Sequence, residues 1–362
     1  MLVDRVAVHH LAFPLKTPYR LSSGDLHVFD PIVMELRDAD GRLGFGEALI
    51  VPGYTHESIE SAWQVACMLG GRLVGLDLEA ARRAALEWTV PNPGVASATL
   101  AALDMLAEEP LLRVVRDVQV PLLAPCQAHE ALEIRDEVEA LLGQGFRTLK
   151  VKVGYRWHED LERVGWVQQA AAGRATLRLD ANRGFSRTEG QAFASGLDPA
   201  GIELFEQPCA AEDWASNAAV AAVSRVPVML DESICGPEDI ERAATLPNVG
   251  FVKLKLKKVG SNAMLRTALD RIRALGMTPV MGDGVSIEIG CWMEACVALH
   301  TLDNAGEMNG FLKVRDRLFA NPLGFSDGAI RIPAGYWPEI DRDELQRHSE
   351  RSSRYQARTY AL

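Results

Sequence analysis

Five charged residues each end a short apolar run, and they recur every 24–28 residues or about one strand–helix unit. They are Lys152, Asp180, Glu206, Asp231 and Lys255. Apolar strands that alternate with helical patterns predict repeated β–α units around a parallel sheet. In a barrel of such units, the C-terminal ends of the strands carry the chemistry. We therefore expect three carboxylates and flanking lysines together at the mouth of an α/β barrel.

From residue 120 onwards, the apolar pattern predicts eight strands with seven helices between them. The helical patterns run from 130–142 to 288–302, and the one between residues 182 and 202 is the least clear. No eighth helix follows the last strand, where the chain again looks extended. The strands are expected at 120–126, 148–153, 175–181, 202–207, 227–232, 249–256, 277–282 and 307–311.

The first 115 residues have a different organisation. Alternating runs separated by a tight-turn signal at 38–41 predict antiparallel strands, and helical patterns follow at 57–73, 78–88 and 96–107. Because 362 residues exceed what usually packs around one core, two domains are expected. We predict an α+β capping domain at 1–115, a barrel at 116–320 and a C-terminal segment at 321–362 that returns to the capping domain. The last fifteen residues are polar and are expected to fray.

Composition excludes several classes of protein. The formal charge of −11 argues against nucleic acid as a partner, because a binder of that kind should be basic. No apolar run approaches the length that spans a membrane. The six cysteines form no C-x-x-C pair and no signal peptide is evident, so reduced thiols and a cytoplasmic location are expected.

The three carboxylates predict a metal site. Asp180, Glu206 and Asp231 would be unstable together without a cation, although each alone is more often a salt-bridge partner. Ligands that offer only oxygen suit Mg²⁺, and the absence of His and Cys disfavours zinc. The sequence therefore predicts Mg²⁺ as cofactor and a small carboxylate as substrate.

The lysines predict proton transfer. Lys150 and Lys152 point to the same side of a strand, which is the interior in a barrel walled by helices; on an edge strand they would merely be solvated. Desolvation, neighbouring lysines and a cation would all lower a lysine pKa. Lys152 and Lys255 would face the two sides of a carbon α to a carboxylate, while Lys150 stabilises the negative charge that develops.

The order of these residues resembles the enolase superfamily in its muconate-lactonizing-enzyme subgroup. The resemblance rests on the order K-x-K, Asp, Glu, Asp, Lys and on the motifs at 44–48 (GFGEA), 205–208 (FEQP), 231–233 (DES) and 255–260 (KLKKVG). It implies a modified TIM barrel, (β/α)₇β, with a capping α+β domain and a Mg²⁺-stabilised enediolate. It also implies that the loops with His27 and Tyr54 form a substrate-specificity lid.

Departures from the family pattern concern the substrate. Residues 281–284 contain no histidine base, and residues 307–310 lack the Asp-x-Asp of dipeptide epimerases. Asp283 could instead pair with a cationic nitrogen, with Tyr54 and Phe311 as aromatic faces, or it could simply form a turn. Lys255 is preferred over Lys253 and Lys257 as the second base because it lies five residues before Gly260, as in the family pattern.

The resulting hypothesis is a racemase or epimerase of a small amino acid derivative, proline-like or betaine-like, assembled as a homo-oligomer. The alternatives are a dehydratase of a 3-hydroxy amino acid such as cis-3-hydroxyproline, a muconate-type cycloisomerase, and a barrel that binds without catalysis.

Overall fold

The computed structural model describes residues 1–21, 24–51 and 56–357. Its N-terminal part is an antiparallel sheet covered by three helices, with a separate two-stranded hairpin formed by β2 and β3. The sheet has the order β16-β1-β4-β5, so a strand from the far C-terminus completes it. The elements are β1 (Val3–Leu11), β2 (Phe13–Leu21), β3 (Gly24–Phe29), β4 (Ile32–Asp38), β5 (Leu43–Ala48), α1 (Ile59–Leu73), α2 (Leu78–Leu86), α3 (Pro93–Leu106) and, near the end of the chain, β16 (Ser349–Gln356).

The second part is a curled parallel sheet in which helices follow the strands. Its seven strands pair in the order in which they follow one another along the chain. The elements are β6 (Val118–Pro121), β7 (Ala124–Cys126), α4 (Ala131–Gly143), β8 (Thr148–Lys152), α5 (Trp157–Ala171), β9 (Thr176–Asp180), α6 (Arg187–Gly196), β10 (Ile202–Glu206), α7 (Trp214–Val223), β11 (Val228–Leu230), α8 (Pro237–Ala243), β12 (Val249–Leu254), α9 (Leu256–Val259), α10 (Asn262–Ala274), β13 (Thr278–Met281) and α11 (Glu288–Thr301).

The eighth barrel position differs from the predicted strand at 307–311. Backbone bonds from Gly306 to Pro121 and from Leu123 to Gly306, both 2.9 Å, join this segment to the first strand. The Glu307 N–H donates to Met281 at 3.0 Å on the other side. The chain then turns into a 3-10 helix, Gly310–Leu312. Two residues therefore close the barrel, and the modified TIM barrel, (β/α)₇β with its N-terminal α+β part, is confirmed.

The helix that the sequence indicated least clearly, α6, begins with a capping box. Ser186 accepts a hydrogen bond from the Glu189 N–H at 3.4 Å, and the Glu189 carboxylate accepts one from the Ser186 N–H at 3.0 Å. These two bonds satisfy N–H groups that a helix leaves unpaired at its start. No helix in the described ranges is long and apolar enough to cross a membrane.

The C-terminal segment does not fray over the part that the structure describes. It forms β14 (Gly324–Ser326), β15 (Ala329–Ile332) and α12 (Arg342–Arg347), and β15 pairs with β6. β16 pairs antiparallel with β1, and its half-buried and exposed side chains alternate along the strand. The fraying prediction is wrong for Ser349–Gln356, because polar residues suffice for an edge strand with one solvated face. The domain boundaries at 115 and 320 stay predictions.

Buried polar contacts fasten the N-terminal part to the mouth of the barrel. Glu47 on β5 accepts a hydrogen bond from the Ile287 N–H at 2.7 Å, next to the start of α11. The Ser97 hydroxyl on α3 bonds the carbonyls of Leu256 and Gly260, both at 2.9 Å. Because α9 directly follows Lys255, these contacts also fix the position of that lysine.

Two glycines of β5 allow α3 to pack directly on the strand backbone. A Cβ built on Gly46 would lie 2.0 Å from the Ala98 carbonyl oxygen, and one on Gly44 would lie 2.1 Å from that of Ala102. Helix and strand can therefore approach this closely only where the strand has no side chain.

We predict that Gly46→Ala destabilises the protein by about 1–3 kcal/mol or more, because α3 must move away from β5. Gly143→Ala is the control: its Cβ would meet nothing within 4 Å, and Ala is the better helix former. Urea unfolding measures both. Equal stability of the Gly46→Ala variant and the wild type would contradict the close packing.

A second prediction concerns Glu47. Burial raises its pKa to about 8 despite the backbone N–H groups of Ile287 and Gly290, and Asp283 and Glu294 add to the rise. The folded protein therefore keeps a proton that the unfolded chain releases near 4.5. Stability should fall as the pH rises through this window, by at most about 1.4 kcal/mol per pH unit.

Glu47→Gln should remove this slope, which urea unfolding at pH 5, 6, 7 and 8 would measure. The control is Glu87→Gln, since Glu87 is exposed and pairs with Arg72. Wild type and Glu47→Gln should diverge steadily over this range, whereas wild type and Glu87→Gln should stay parallel. Parallel curves for all three proteins would overturn the assignment of a proton to Glu47.

Candidate active site

The predicted carboxylates lie at one end of neighbouring barrel strands. In the sheet register Lys152 is the partner of Asp180, and Asp180 is the partner of Glu206. Asp231 directly follows β11, the next strand in the ring. All three carboxylates are buried, with exposures of 0%, 1% and 2%. The sheet therefore brings together residues that are up to 51 positions apart in the chain.

Lys150 lies at the centre of this group. Its Nζ is 2.8 Å from Asp180 Oδ2, 3.0 Å from Glu206 Oε2 and 2.9 Å from Glu307 Oε2. A buried ammonium is stable only with such partners. An interior position for this lysine was expected, and the solvated edge-strand alternative is wrong.

Lys152 and Lys255 each pair with a different carboxylate. Lys152 Nζ lies 2.6 Å from Asp180 Oδ2 and also contacts the Asn182 side-chain oxygen. Lys255 Nζ lies 2.7 Å from Asp231 Oδ2. The two lysines come from β8 and from the end of β12, which stand four places apart in the ring that Gly306 closes. They therefore approach the mouth of the barrel from opposite sides.

The expected depression of the lysine pKa is not found for Lys150 or Lys255. Burial alone would lower the pKa of Lys255, but Asp231, Asp283 and Glu232 raise it above its usual value. Burial likewise opposes the charge of Lys150, and Asp180, Glu206 and Glu307 raise its pKa. The carboxylates thus outweigh desolvation.

Two more residues belong to the cluster. Lys253 Nζ lies 3.1 Å from Glu206 Oε1 and contacts Glu307 Oε2, and both of its partners are buried. Sequence reasoning held Lys253 only as an alternative to Lys255 and did not assign Glu307. The alternation of Lys253 with Lys255 along one strand was a usable signal that both side chains point into the barrel. No comparable signal pointed to Glu307, because the strand expected at 307–311 does not form.

Side-chain amides and carboxylates hold the strand ends in place. The Gln207 oxygen accepts hydrogen bonds from the N–H groups of Asp231 and Ser233 at 3.0 and 3.1 Å, which ties β10 to the turn after β11. Glu294 accepts bonds from the N–H groups of Leu256 and Asp283 at 2.8 and 3.2 Å. Neither role could be read from sequence, because each joins residues of different strand ends.

The donor chemistry of the three carboxylates fits a magnesium ion. Burial raises the pKa of Glu206, and repulsion from Asp180 and Asp231 adds to the rise, which is the strain that a cation would relieve. Within the described ranges no three Asp, Glu, His or Cys side chains already stand in a metal-binding arrangement. The lysines explain this, because Asp180, Glu206 and Asp231 each contact an ammonium group. Metal binding therefore requires these ion pairs to loosen.

The predicted substrate contacts have different outcomes. His27 lies in β3, where its side chain is exposed, so the loop expected there is partly a strand. Tyr54 lies outside the described residues.

Asp283 is buried, and its Oδ2 lies 2.5 Å from Lys257 Nζ, so its charge is already balanced. Phe311 is fully buried, and the Arg317 guanidinium covers its ring at 4.7 Å. Phe311 is thus a core residue that offers no open face to a ligand.

A cavity of about 40 Å³ opens beside Lys150 and Lys152. Its wall includes Lys150, Lys152 and Glu307 from the barrel and Tyr19 from β2. Lys313 Nζ lies 4.0 Å above the Tyr19 ring and bonds the Gly284 carbonyl at 2.5 Å. Sequence reasoning missed Tyr19, although it comes from the domain that was expected to cap the site.

Comparisons with known proteins agree with this architecture. The Enolase C-terminal domain-like family matches residues 133–336. The L-Lys-D/L-Arg epimerase of Methylococcus capsulatus is 30% identical over 320 residues, which cover 83% of this chain and 85% of the epimerase. The o-succinylbenzoate synthase of Geobacillus kaustophilus is 27% identical over 372 residues, which cover 96% of each protein.

A solved structure, the dipeptide epimerase from Cytophaga hutchinsonii complexed with Mg and the dipeptide D-Ala-L-Val, superposes with a TM-score of 0.87. It is 23% identical, and the match covers 98% of this chain and 100% of that chain. The predicted resemblance and the prediction that the protein is an enzyme are confirmed. The chain belongs to the enolase superfamily, as an enzyme of its mandelate racemase and muconate lactonizing enzyme group.

Proposed function

We propose that the protein is a Mg²⁺-dependent racemase or epimerase that moves the proton α to the carboxylate of an amino acid derivative. The observation that carries this proposal is the placement of Lys152 and Lys255 on opposite sides of the barrel mouth. Two bases on opposite sides suit removal of a proton from one face of a carbon and its return to the other. The similarity to the L-Lys-D/L-Arg epimerase supports the same reaction class.

The metal would be held by Asp180, Glu206 and Asp231. When bound, it supplies positive charge for the substrate carboxylate oxygens as negative charge develops on them. Similarity to a dipeptide epimerase whose structure contains Mg supports this cofactor. We propose these three carboxylates as its ligands because they are buried and repel one another, which a cation would offset.

The lysines divide the remaining work. Lys152 or Lys255 receives the α-proton on its Nζ, and the other lysine delivers a proton to the opposite face. Lys150, which lies within 3.0 Å of three carboxylates, keeps its charge and stabilises the developing negative charge. The lysine that receives the α-proton must first be neutral, which requires it to separate from its carboxylate, because an ion-paired lysine retains its proton; the lysine on the opposite side starts protonated and delivers that proton.

The substrate is proposed only as a small amino acid derivative with a free carboxylate. Tyr19 and Lys313 stand at the site and are candidates for contacts to the rest of the substrate. A proline-like or betaine-like substrate is less favoured than the sequence indicated, since Lys257 already balances the charge of Asp283. A cationic nitrogen would have to displace that ammonium. His27 and Tyr54 remain predictions for a specificity lid.

The two lysines are tested by replacing each with Ala. For a racemase or epimerase, each variant should still exchange the α-proton of one stereoisomer with D₂O, a different isomer for each lysine, while interconverting neither. Loss of a general base typically costs about 10²–10⁴-fold in rate. NMR of an amino acid derivative library in D₂O reads exchange and inversion separately.

Other outcomes of this experiment point elsewhere. Complete loss of reaction in one variant with elimination of water in the wild type would favour a dehydratase of a 3-hydroxy amino acid. Full two-way exchange in both variants would mean that neither lysine is the base. Absence of both exchange and Mg²⁺ binding in the wild type would favour a barrel that only binds.

The metal site is tested with Glu206→Gln, which should abolish turnover and weaken Mg²⁺ binding while leaving the fold intact, because the amide has the same shape and its oxygen can still accept a bond from Lys150 or Lys253. The control is Glu203→Gln on the same strand, where Glu203 pairs with Arg178 instead. Calorimetric Mg²⁺ titration and circular dichroism measure the two effects. Normal turnover of Glu206→Gln in the presence of a chelator would exclude this residue as a ligand.

A further inference from the structure

Lys253 is a buried ammonium that proton transfer between Lys152 and Lys255 does not require. Its side chain is 3% exposed, and its Nζ lies 3.1 Å from Glu206 and 3.9 Å from Asp231. It thus lies against two of the three proposed metal ligands. Its third carboxylate neighbour is Glu307, which it contacts directly. The four carboxylates at this end of the barrel already have lysine partners. Asp180, Glu206, Asp231 and Glu307 contact Lys150, Lys152, Lys253 and Lys255, and Lys258 lies 3.7 Å from Asp231 as a fifth ammonium.

A divalent cation would enter a cluster in which every carboxylate already has an ammonium partner. It adds two positive charges without a new counterion, and Coulomb repulsion is strong in a buried site. Lys253 cannot escape into solvent, since it lies within β12 and its neighbours Val252 and Leu254 in the strand are buried. Its ammonium therefore remains close to Glu206 and opposes the metal there.

We propose that Lys253 is a resident cation that weakens Mg²⁺ binding to the empty enzyme and leaves the bound anionic substrate to restore the charge balance. The proposal rests on the proposed function, because it takes Asp180, Glu206 and Asp231 as the metal site. It predicts that a carboxylate ligand and Mg²⁺ strengthen each other's binding by the same factor, as linkage requires.

The test is calorimetric titration of MgCl₂ into the wild type, Lys253→Met and Lys257→Met, each without substrate. Methionine keeps the length of the side chain and removes its charge. Lys257 is the matched control, since it lies four residues away and pairs with Asp283, which is not a proposed metal ligand. Lys253→Met should bind Mg²⁺ at least about tenfold more tightly than the wild type, while Lys257→Met should change the affinity much less.

A second measurement is independent of catalysis. Without metal, Lys253→Met should unfold at a lower temperature than the wild type, because Glu206 and Glu307 lose a partner, and MgCl₂ should restore more stability to the variant than to the wild type. If the methionine variant does not fold, Lys253→Gln, which removes the charge and keeps a hydrogen-bonding group, should show the same tighter binding.

Equal or weaker Mg²⁺ binding by a folded Lys253 variant overturns the proposal. Equal tightening by Lys257→Met also overturns it, since the effect would then reflect net charge alone. The proposed function stands apart from these results: a wild type that binds Mg²⁺ and exchanges α-protons supports it even if Lys253 has no effect. A wild type and a folded Lys253→Met variant that both lack Mg²⁺ affinity, with and without a carboxylate ligand, refute both.

Discussion

The arrangement of the whole barrel mouth depends on one requirement, the mutual compensation of buried charges. Asp180, Glu206 and Asp231 are almost fully removed from water, and such carboxylates persist only beside cations. Lys150 meets this requirement for two of them at once, at 2.8 and 3.0 Å. The ion pairs of Lys150, Lys152 and Lys255 with the candidate metal ligands therefore support both the stability of this cluster and its proposed chemistry.

Neutral groups around this cluster keep it in register. Gln207 joins the ends of β10 and β11, Glu294 joins the ends of β12 and β13, and Glu47 joins the N-terminal domain to the start of α11. Burial raises the pKa of Glu47 and Glu294 to about 8, so these acids can serve as neutral hydrogen-bonding groups near pH 7. The mouth of the barrel therefore has an inner layer of paired charges and an outer layer of carboxyl and amide groups that positions it.

The N-terminal part reaches the barrel mouth through residues that the sequence did not single out. Tyr19 reaches the cavity beside Lys150, and Ser97 binds the backbone on both sides of α9. Under the proposed function, the barrel would supply proton transfer, and contacts to the rest of the substrate would come from the place where the N-terminal part meets the barrel.

Periodicity alone determined much of this protein. The spacing of charged strand ends predicted the barrel and the grouping of three carboxylates and the flanking lysines at its mouth, and α7 begins and ends where its pattern does, at Trp214–Val223. These features are local, because they depend on residues within one strand or helix. Tertiary structure decided the rest. Four features join elements that lie far apart in the sequence or whose pairing the sequence does not specify. They are the two-residue closure at Gly306, the pairing of β16 with β1, and the ion pairs of Lys253 with Glu307 and of Lys257 with Asp283. The pKa directions of the lysines were decided in the same way, since burial and three-dimensional neighbours oppose each other and only distances determine which of them prevails.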